Sequence, residues 1–218
     1  MKKSGIDKKI SLSEDTYKDL LEDYFTSVYP AGKLPSHGLE HHHRVWEYAK
    51  ELLHYIEKDH SIDQIFIDKL LIACYLHDIG MSVNTGERHG RYSKDICKKF
   101  LVEQNLDEND YKDLLSAIEN HDNKEYSGSE KKDLLLTVLS AADDLDAFGE
   151  KGISRYLEIY RTRGIEPYRI ASSIRDNASK RFENFQRHFG KYPDLVAKHR
   201  KRYLLLYNYF NENHQAQS

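Results

Sequence analysis

No run of apolar residues in this chain approaches the roughly 18 to 20 that a bilayer span requires. The amino terminus, MKKSGIDKKISLSEDTYKDL, carries charges where a secretory leader needs an apolar stretch. Only two cysteines occur, Cys74 and Cys97. Neither has a second cysteine at metal-binding spacing, which excludes a disulfide scaffold and a thiolate zinc site and makes a reducing cytoplasm the expected compartment. Excess positive charge is absent too. Lys and Arg number 33 against 36 Asp and Glu, for a formal net charge of -3, so no global basic field draws in a polynucleotide. Prolines are only four, at positions 30, 35, 167 and 193, and they act as punctuation between segments of helical period. Strand-like alternation never lasts more than a few residues, and neither internal repeats nor low-complexity linkers occur. The expected fold is all-α, as one domain over residues 1–218.

What is present is a polar but periodic sequence. Hydrophobic residues make up 39% and charged residues 32%. Their clustering favours long helices with solvated outer faces over disorder. Ser13 is a candidate N-cap for a first helix running to about Val28. After a loop from Pro30 to Pro35, a second helix from His37 or His41 to about Glu57 places Val45, Trp46, Ala49, Leu52, Leu53 and Ile56 on one stripe. The third starts near Ser61 or Asp63, carries Cys74 in its apolar run, and is expected to stop at Gly80 as its C′ residue. Further helices are expected over about Arg88–Val102 and Glu108–Asn120, and KEYSGSEK reads as a loop. LLLTVLSAADDLDAF is apolar nearly all round in its first half, which marks a central helix. Helices over about Gly152–Thr162, Tyr168–Phe189 and Asp194–Tyr209 complete the chain. The locally basic stretches Arg155–Arg163 and Lys198–Arg202 read as solvated faces.

Three segments carry chemistry. A His-Asp dipeptide by itself is weak, since a chain with 12 histidines yields about one by chance. Two are present, and context separates them. His77-Asp78 ends the apolar run LLIACYLHDIG, where an imidazole and a carboxylate at the mouth of a core need a partner such as a divalent cation. His121-Asp122 lies where a helix turns into polar loop, and Asp122 reads as a helix-end or turn residue. In the central helix, Asp143 and Asp146 share a face, and an inward carboxylate there requires a metal, an arginine or another donor. Asp144 reads as exposed, and Asp146 as either a second inward carboxylate or the partner of a basic group. In HGLEHHHRVWEYAKELL, extending the stripe of Val45, Ala49 and Leu52 back by four residues reaches His41. His42 and His43 are rotated off that stripe and read as exposed.

Together these residues resemble the HD superfamily of metal-dependent phosphohydrolases. The first histidine fits as His-x-x-Arg-Val at His41, Arg44 and Val45, the pair as LHDIG at Leu76 to Gly80, and the last aspartate within AADDLDAFGEKGISR at Asp143. The resemblance covers about residues 37–155, with the helices of 156–212 packing on that core in a compact HD-type bundle. The segment from Leu145 to Ile153 is similar to small stand-alone HD hydrolases, some of which act on nucleotides. Asp144 departs from the pattern, standing where such relatives often carry Arg or Lys, and nothing beyond about Tyr156 matches a motif.

The resemblance implies that His41, His77, Asp78 and Asp143 ligate one divalent ion. Two imidazoles and two carboxylates suit Mn, Fe, Co, Ni or Mg. Asp78 would also orient the attacking water, and His89 or His121 would move a proton. In the family such intermediate histidines can line the pocket or hold a second metal. His37, Arg44 and Lys94 are candidate phosphate contacts. The implied substrate is a small phosphorylated metabolite, a nucleotide first of all, with no membrane and no polynucleotide as partner. The competing reading is a regulatory HD domain that binds metal or nucleotide without turnover.

Overall fold

A computed structural model describes residues 4–30, 32–86, 89–123 and 133–215, with side chains as far as residue 212. Among these residues the regular structure is helical, without strands. The first helix, α1 (Gly5–Val28), starts well before Ser13. Ser4 caps it, accepting from the Asp7 amide at 3.2 Å while its own amide donates to Asp7 at 2.9 Å. This reciprocal box satisfies two amides that a helix start leaves without partners. Ser13 sits buried inside α1, where its hydroxyl donates to Asp68 and accepts from Gln64.

Helix α2 (Leu39–Ile56) buries the predicted stripe of Val45, Trp46, Ala49, Leu52, Leu53 and Ile56. Trp46 donates its indole N–H to Glu14 at 2.7 Å, so the largest side chain of the stripe is buried without an orphaned donor. Asp63 caps α3 (Gln64–Leu76) by accepting from the Phe66 amide at 2.8 Å. The second half of α3, Leu70 to Leu76, is buried all round, Cys74 included. Truncating one of its leucines to alanine is expected to cost about 2–5 kcal/mol. Helix α3 ends at Leu76 rather than at Gly80. The chain continues into a 3₁₀ turn, Ile79–Ser82, before α4 (His89–Glu103). Gly80 has a different task from the one expected of it. A Cβ there would lie 2.3 Å from the His89 carbonyl oxygen and 2.4 Å from the Ser93 nitrogen, so only glycine lets the turn approach α4 this closely.

Helices α5 (Lys112–Asn120), α6 (Leu134–Asp146), α7 (Gly149–Thr162), α8 (Pro167–Phe189) and α9 (Pro193–Gln215) follow. The expected start of α4 at Arg88 and the expected loop KEYSGSEK lie outside the described residues. The chain forms two compact units. The first holds α1 to α5 and α6 as far as Ala142; the second runs from Asp143 through α7, α8 and α9. Helix α6 is continuous across that division. Within the second unit, the rings of Phe182 on α8 and Tyr203 on α9 stack at 4.6 Å, and Arg202 donates to the Phe148 carbonyl at 2.9 Å. None of the described helices is long and apolar enough to cross a membrane.

Candidate metal centre

Helix ends place the site. His41 stands in the first turn of α2, and His77 caps the end of α3 with its backbone still helical. Asp78 leaves the helical conformation at φ -106° and ψ 4°. His89 opens α4 and His121 caps α5. All five side chains are buried.

Backbone carbonyls orient three of the imidazoles. Nδ1 of His77 lies 3.0 Å from the Cys74 oxygen, Nδ1 of His89 2.9 Å from that of Gly86, and Nδ1 of His121 2.7 Å from that of Ile118. A carbonyl oxygen only accepts, so each Nδ1 carries a proton, and each ring when neutral presents a bare Nε2. These Nε2 atoms are not dispersed. That of His77 lies 3.2 Å from Nε2 of His41, and that of His89 lies 3.3 Å from Nε2 of His121. Asp78 serves both pairs. Its Oδ2 is 3.4 Å from His41 and 3.5 Å from His77, while its Oδ1 is 3.1 Å from His89 and 3.0 Å from His121.

Facing lone pairs repel unless a proton or a cation lies among them. Burial pushes the Asp78 carboxyl up, but the positive charge on His77 and the hydrogen bonds from His121, His41 and His89 outweigh it and hold the group well below its ordinary value. Burial likewise opposes a charged His89, yet its hydrogen bond to Asp78, the charges of Asp78 and Asp122, and the Gly86 carbonyl raise it to about 9.

Two sets of donors have the composition a hard or borderline divalent ion prefers. Helix α6 carries Asp143 to complete the group His41, His77, Asp78 and Asp143, and Asp78, His89 and His121 form another. Within each group the donor atoms lie within 4.8 Å of one another. The residues fit a metal on their own chemistry. All are buried, the histidines turn Nε2 toward the carboxylate of Asp78, and donors at about 2.1 Å from one ion stand about 3 Å apart.

Other expectations have mixed outcomes. His42, expected at the surface, is 0% exposed. Its Nδ1 lies 3.0 Å from the Cys74 oxygen and its ring packs against Phe25, His41 and His77. The apolar face of α2 is wider than a single stripe, and α1 covers the flank on which His42 lies. His43 is half-buried and pairs with Glu22 at 2.9 Å. Asp144, also expected to be exposed, is 0% exposed and accepts from Arg181 at 2.6 Å. Asp146 accepts from Arg155 at 3.0 Å, which corrects the reading of Arg155 as part of a solvated face. Sequence reasoning missed both arginines. Arg155 had a signal, since it lies at helical spacing between Gly152 and Ile159 on the buried face of α7. Arg181 had none. His37 is buried, with its ring 5.6 Å from that of His41. Arg44 is half-buried, Lys94 is paired with Glu119 at 2.6 Å, and Asp122 lies in the turn that follows α5.

The sequence profile of the HD domain matches residues 38–147, just over half of the chain. Two crystal structures share the fold. One, a protein from Lactobacillus plantarum, is 21% identical and aligns over 97% of this chain and 97% of its own, with a TM-score of 0.60. Another is a predicted HD superfamily hydrolase from an uncultured Thermotogales bacterium, 24% identical over 83% of this chain and 98% of its own, with a TM-score of 0.51. Among curated proteins, none matches. With the profile spanning the segment that carries His41, His77, Asp78, His89, His121 and Asp143, the chain belongs to the HD domain family.

Proposed function

We propose that this chain is a cytoplasmic, metal-dependent phosphohydrolase acting on a small phosphorylated metabolite, a nucleotide in the first instance. His41, His77, Asp78 and Asp143 are its metal ligands, with Asp78, His89 and His121 as the ligands of a second ion. The observation that carries this reading is the division of the Asp78 carboxylate, with one oxygen toward His41 and His77 and the other toward His89 and His121. A carboxylate placed so would offer one oxygen to each group of donors if both held a cation. Family membership and the hydrolase among the structural neighbours support the same reaction class.

A divalent ion bound there lowers the pKa of a water and neutralises charge developing on a phosphoryl group. The remaining chemistry belongs to the chain. Asp78 stays ionised and offers an oxygen to each donor group. The carbonyls of Cys74, Gly86 and Ile118 engage Nδ1 of three rings and leave Nε2 to face the site. His37 and Arg44 are proposed phosphate contacts. Lys94 is a third, for which phosphate has to compete with Glu119.

One observation favours a variant of this reading with a single ion. Nε2 of His89 lies 3.1 Å from Oδ1 of Asp78, and a His89 that is not a ligand is placed to hold a proton there and give it to the leaving oxygen. Elemental analysis of untagged protein, combined with a phosphate-release screen over nucleotides with Mn²⁺, Fe²⁺, Co²⁺, Ni²⁺ and Mg²⁺, separates the cases. Two equivalents with turnover support the bridged site, and one equivalent supports the proton-donor variant. Metal binding without turnover of any phosphorylated substrate would mean a regulatory domain, and no metal at all would sink the proposal.

A further inference from the structure

Three buried carboxylates meet two guanidinium groups in the second unit, that of Arg155 buried and that of Arg181 partly so. Arg155, on α7, donates to Asp146 at 3.0 Å and to Asp143 at 3.3 Å. Arg181, on α8, donates to Asp144 at 2.6 Å and to Asp143 at 3.1 Å. Each arginine therefore has a carboxylate of its own, met at the shorter distance, and both share Asp143. They meet it on opposite oxygens, Arg155 on Oδ1 and Arg181 on Oδ2. Asn177, one turn before Arg181 on α8, accepts from its Nε at 2.9 Å and fixes the plane of the fork.

We infer that Asp144–Arg181 and Asp146–Arg155 are two positioning pairs that aim the carboxylate of Asp143 at its metal. This rests on the assignment of Asp143 as a ligand made above. The charges explain why both pairs are needed. Asp144 and Asp146 are fully buried, and a buried carboxylate without a cation is costly. Supplying one arginine to each neutralises them. The third carboxylate, Asp143, is shared by the two arginines through their longer contacts, at 3.3 Å from Arg155 and 3.1 Å from Arg181. An anion held in this way keeps its direction while an oxygen lone pair stays open to a cation, because each guanidinium remains anchored when Asp143 turns to a metal. A single arginine facing Asp143 alone would form a closed ion pair that metal has to break. The arrangement also accounts for a departure noted in the sequence: the extra carboxylate at Asp144 is matched by Arg181, so the local charge at the site is not increased by it.

The test is Mn²⁺ binding to the full-length, metal-free chain, measured by calorimetry and by the electron paramagnetic resonance signal of free Mn²⁺. Wild type is compared with the paired neutral variants Asp144→Asn with Arg181→Met and Asp146→Asn with Arg155→Met, which remove both members of a pair and leave the net charge unchanged. Arg181→Lys and Arg155→Lys, which retain the charge and most of the volume, are measured beside them. Each paired variant, still unfolding cooperatively, is expected to bind Mn²⁺ about 10- to 100-fold more weakly, the range for residues that orient a ligand. The lysine variants are expected between it and wild type, since one ammonium cannot hold two carboxylates in a planar fork. Paired variants that bind as tightly as wild type would overturn the inference, as would lysine variants no better than their paired counterparts. If a paired variant does not fold, lysine variants with wild-type affinity overturn it alone. Failure of wild type to bind any metal is a distinct result, because it removes the assignment of Asp143 itself.

Discussion

His42 and His77 share one hydrogen-bond acceptor. The Nδ1 atoms of both rings lie 3.0 Å from the carbonyl oxygen of Cys74, in the last turn of α3. Because both rings need the same carbonyl, the end of α3 sets the tautomer of His77 and fixes His42 beneath it.

The two histidines with opposite shifts set a pH optimum for the metal-free protein. Burial holds His42 well below its ordinary value of 6.5, reinforced by the charges of His41 and His77. Its contribution is complete above 6.5 and declines as pH falls below that value, where the unfolded chain takes up a proton that the folded one refuses. His89, raised from 6.5 to about 9, acts in the other direction. Its contribution is complete below 6.5 and is lost as pH rises through 9. Urea unfolding of the metal-free protein is expected to show maximal stability near pH 6.5. His42→Phe should flatten the acid limb while changing stability at pH 7.5 by about 1 kcal/mol; an unchanged acid limb would contradict the role given to His42.

Metal content should follow the two donor groups. His121→Ala is expected to lower the stoichiometry from two equivalents to one, and His77→Ala, Asp78→Ala and Asp143→Ala to abolish hydrolysis, measured by elemental analysis and phosphate release. If Asp78→Ala retained two equivalents, the division of its carboxylate would be irrelevant to metal.

Chelation should lower the melting temperature. An ion that binds only the folded state adds about 2.7 kcal/mol at a free concentration 100 times its dissociation constant. A loaded protein that melts at the same temperature with and without chelator would show that no such ion is bound.

Gly80→Ala should disturb the site without touching a ligand. The added methyl would meet the backbone of His89 and Ser93 at 2.3 and 2.4 Å, so α4 has to move, at a cost of about 1–3 kcal/mol. The expected result is a stability loss together with weaker binding of the second equivalent, since His89 opens α4. Binding of that equivalent unchanged by the substitution would mean that the spacing of turn and helix does not control it.

Both thiols should resist modification in the folded protein. Cys74 and Cys97 are buried, and burial pushes the Cys97 thiol well above its ordinary value. An aromatic disulfide reagent is expected to react with neither at pH 8 and with both in denaturant.

Helical periodicity, the apolar runs of α3 and α6 and the order of histidines and aspartates were sufficient to read an all-helical chain of the HD family. These signals are local, since a residue's face on a helix follows from the 3.6-residue repeat alone. The same local rule misplaced His42 and Asp144. Whether a flank of a helix is buried depends on which helix packs there, and α1 over His42 or Arg181 on Asp144 belongs to no repeat. Ser13 looked like a cap because its type favours that position, but the reciprocal bonds of Ser4 and Asp7 win the start of α1. The sequence by itself determined the helices and the candidate ligands. Only the tertiary structure decided that Asp78 turns one oxygen to each histidine pair and that Asp143 sits in the fork of two arginines, because distances among residues far apart in the chain follow from packing and not from spacing.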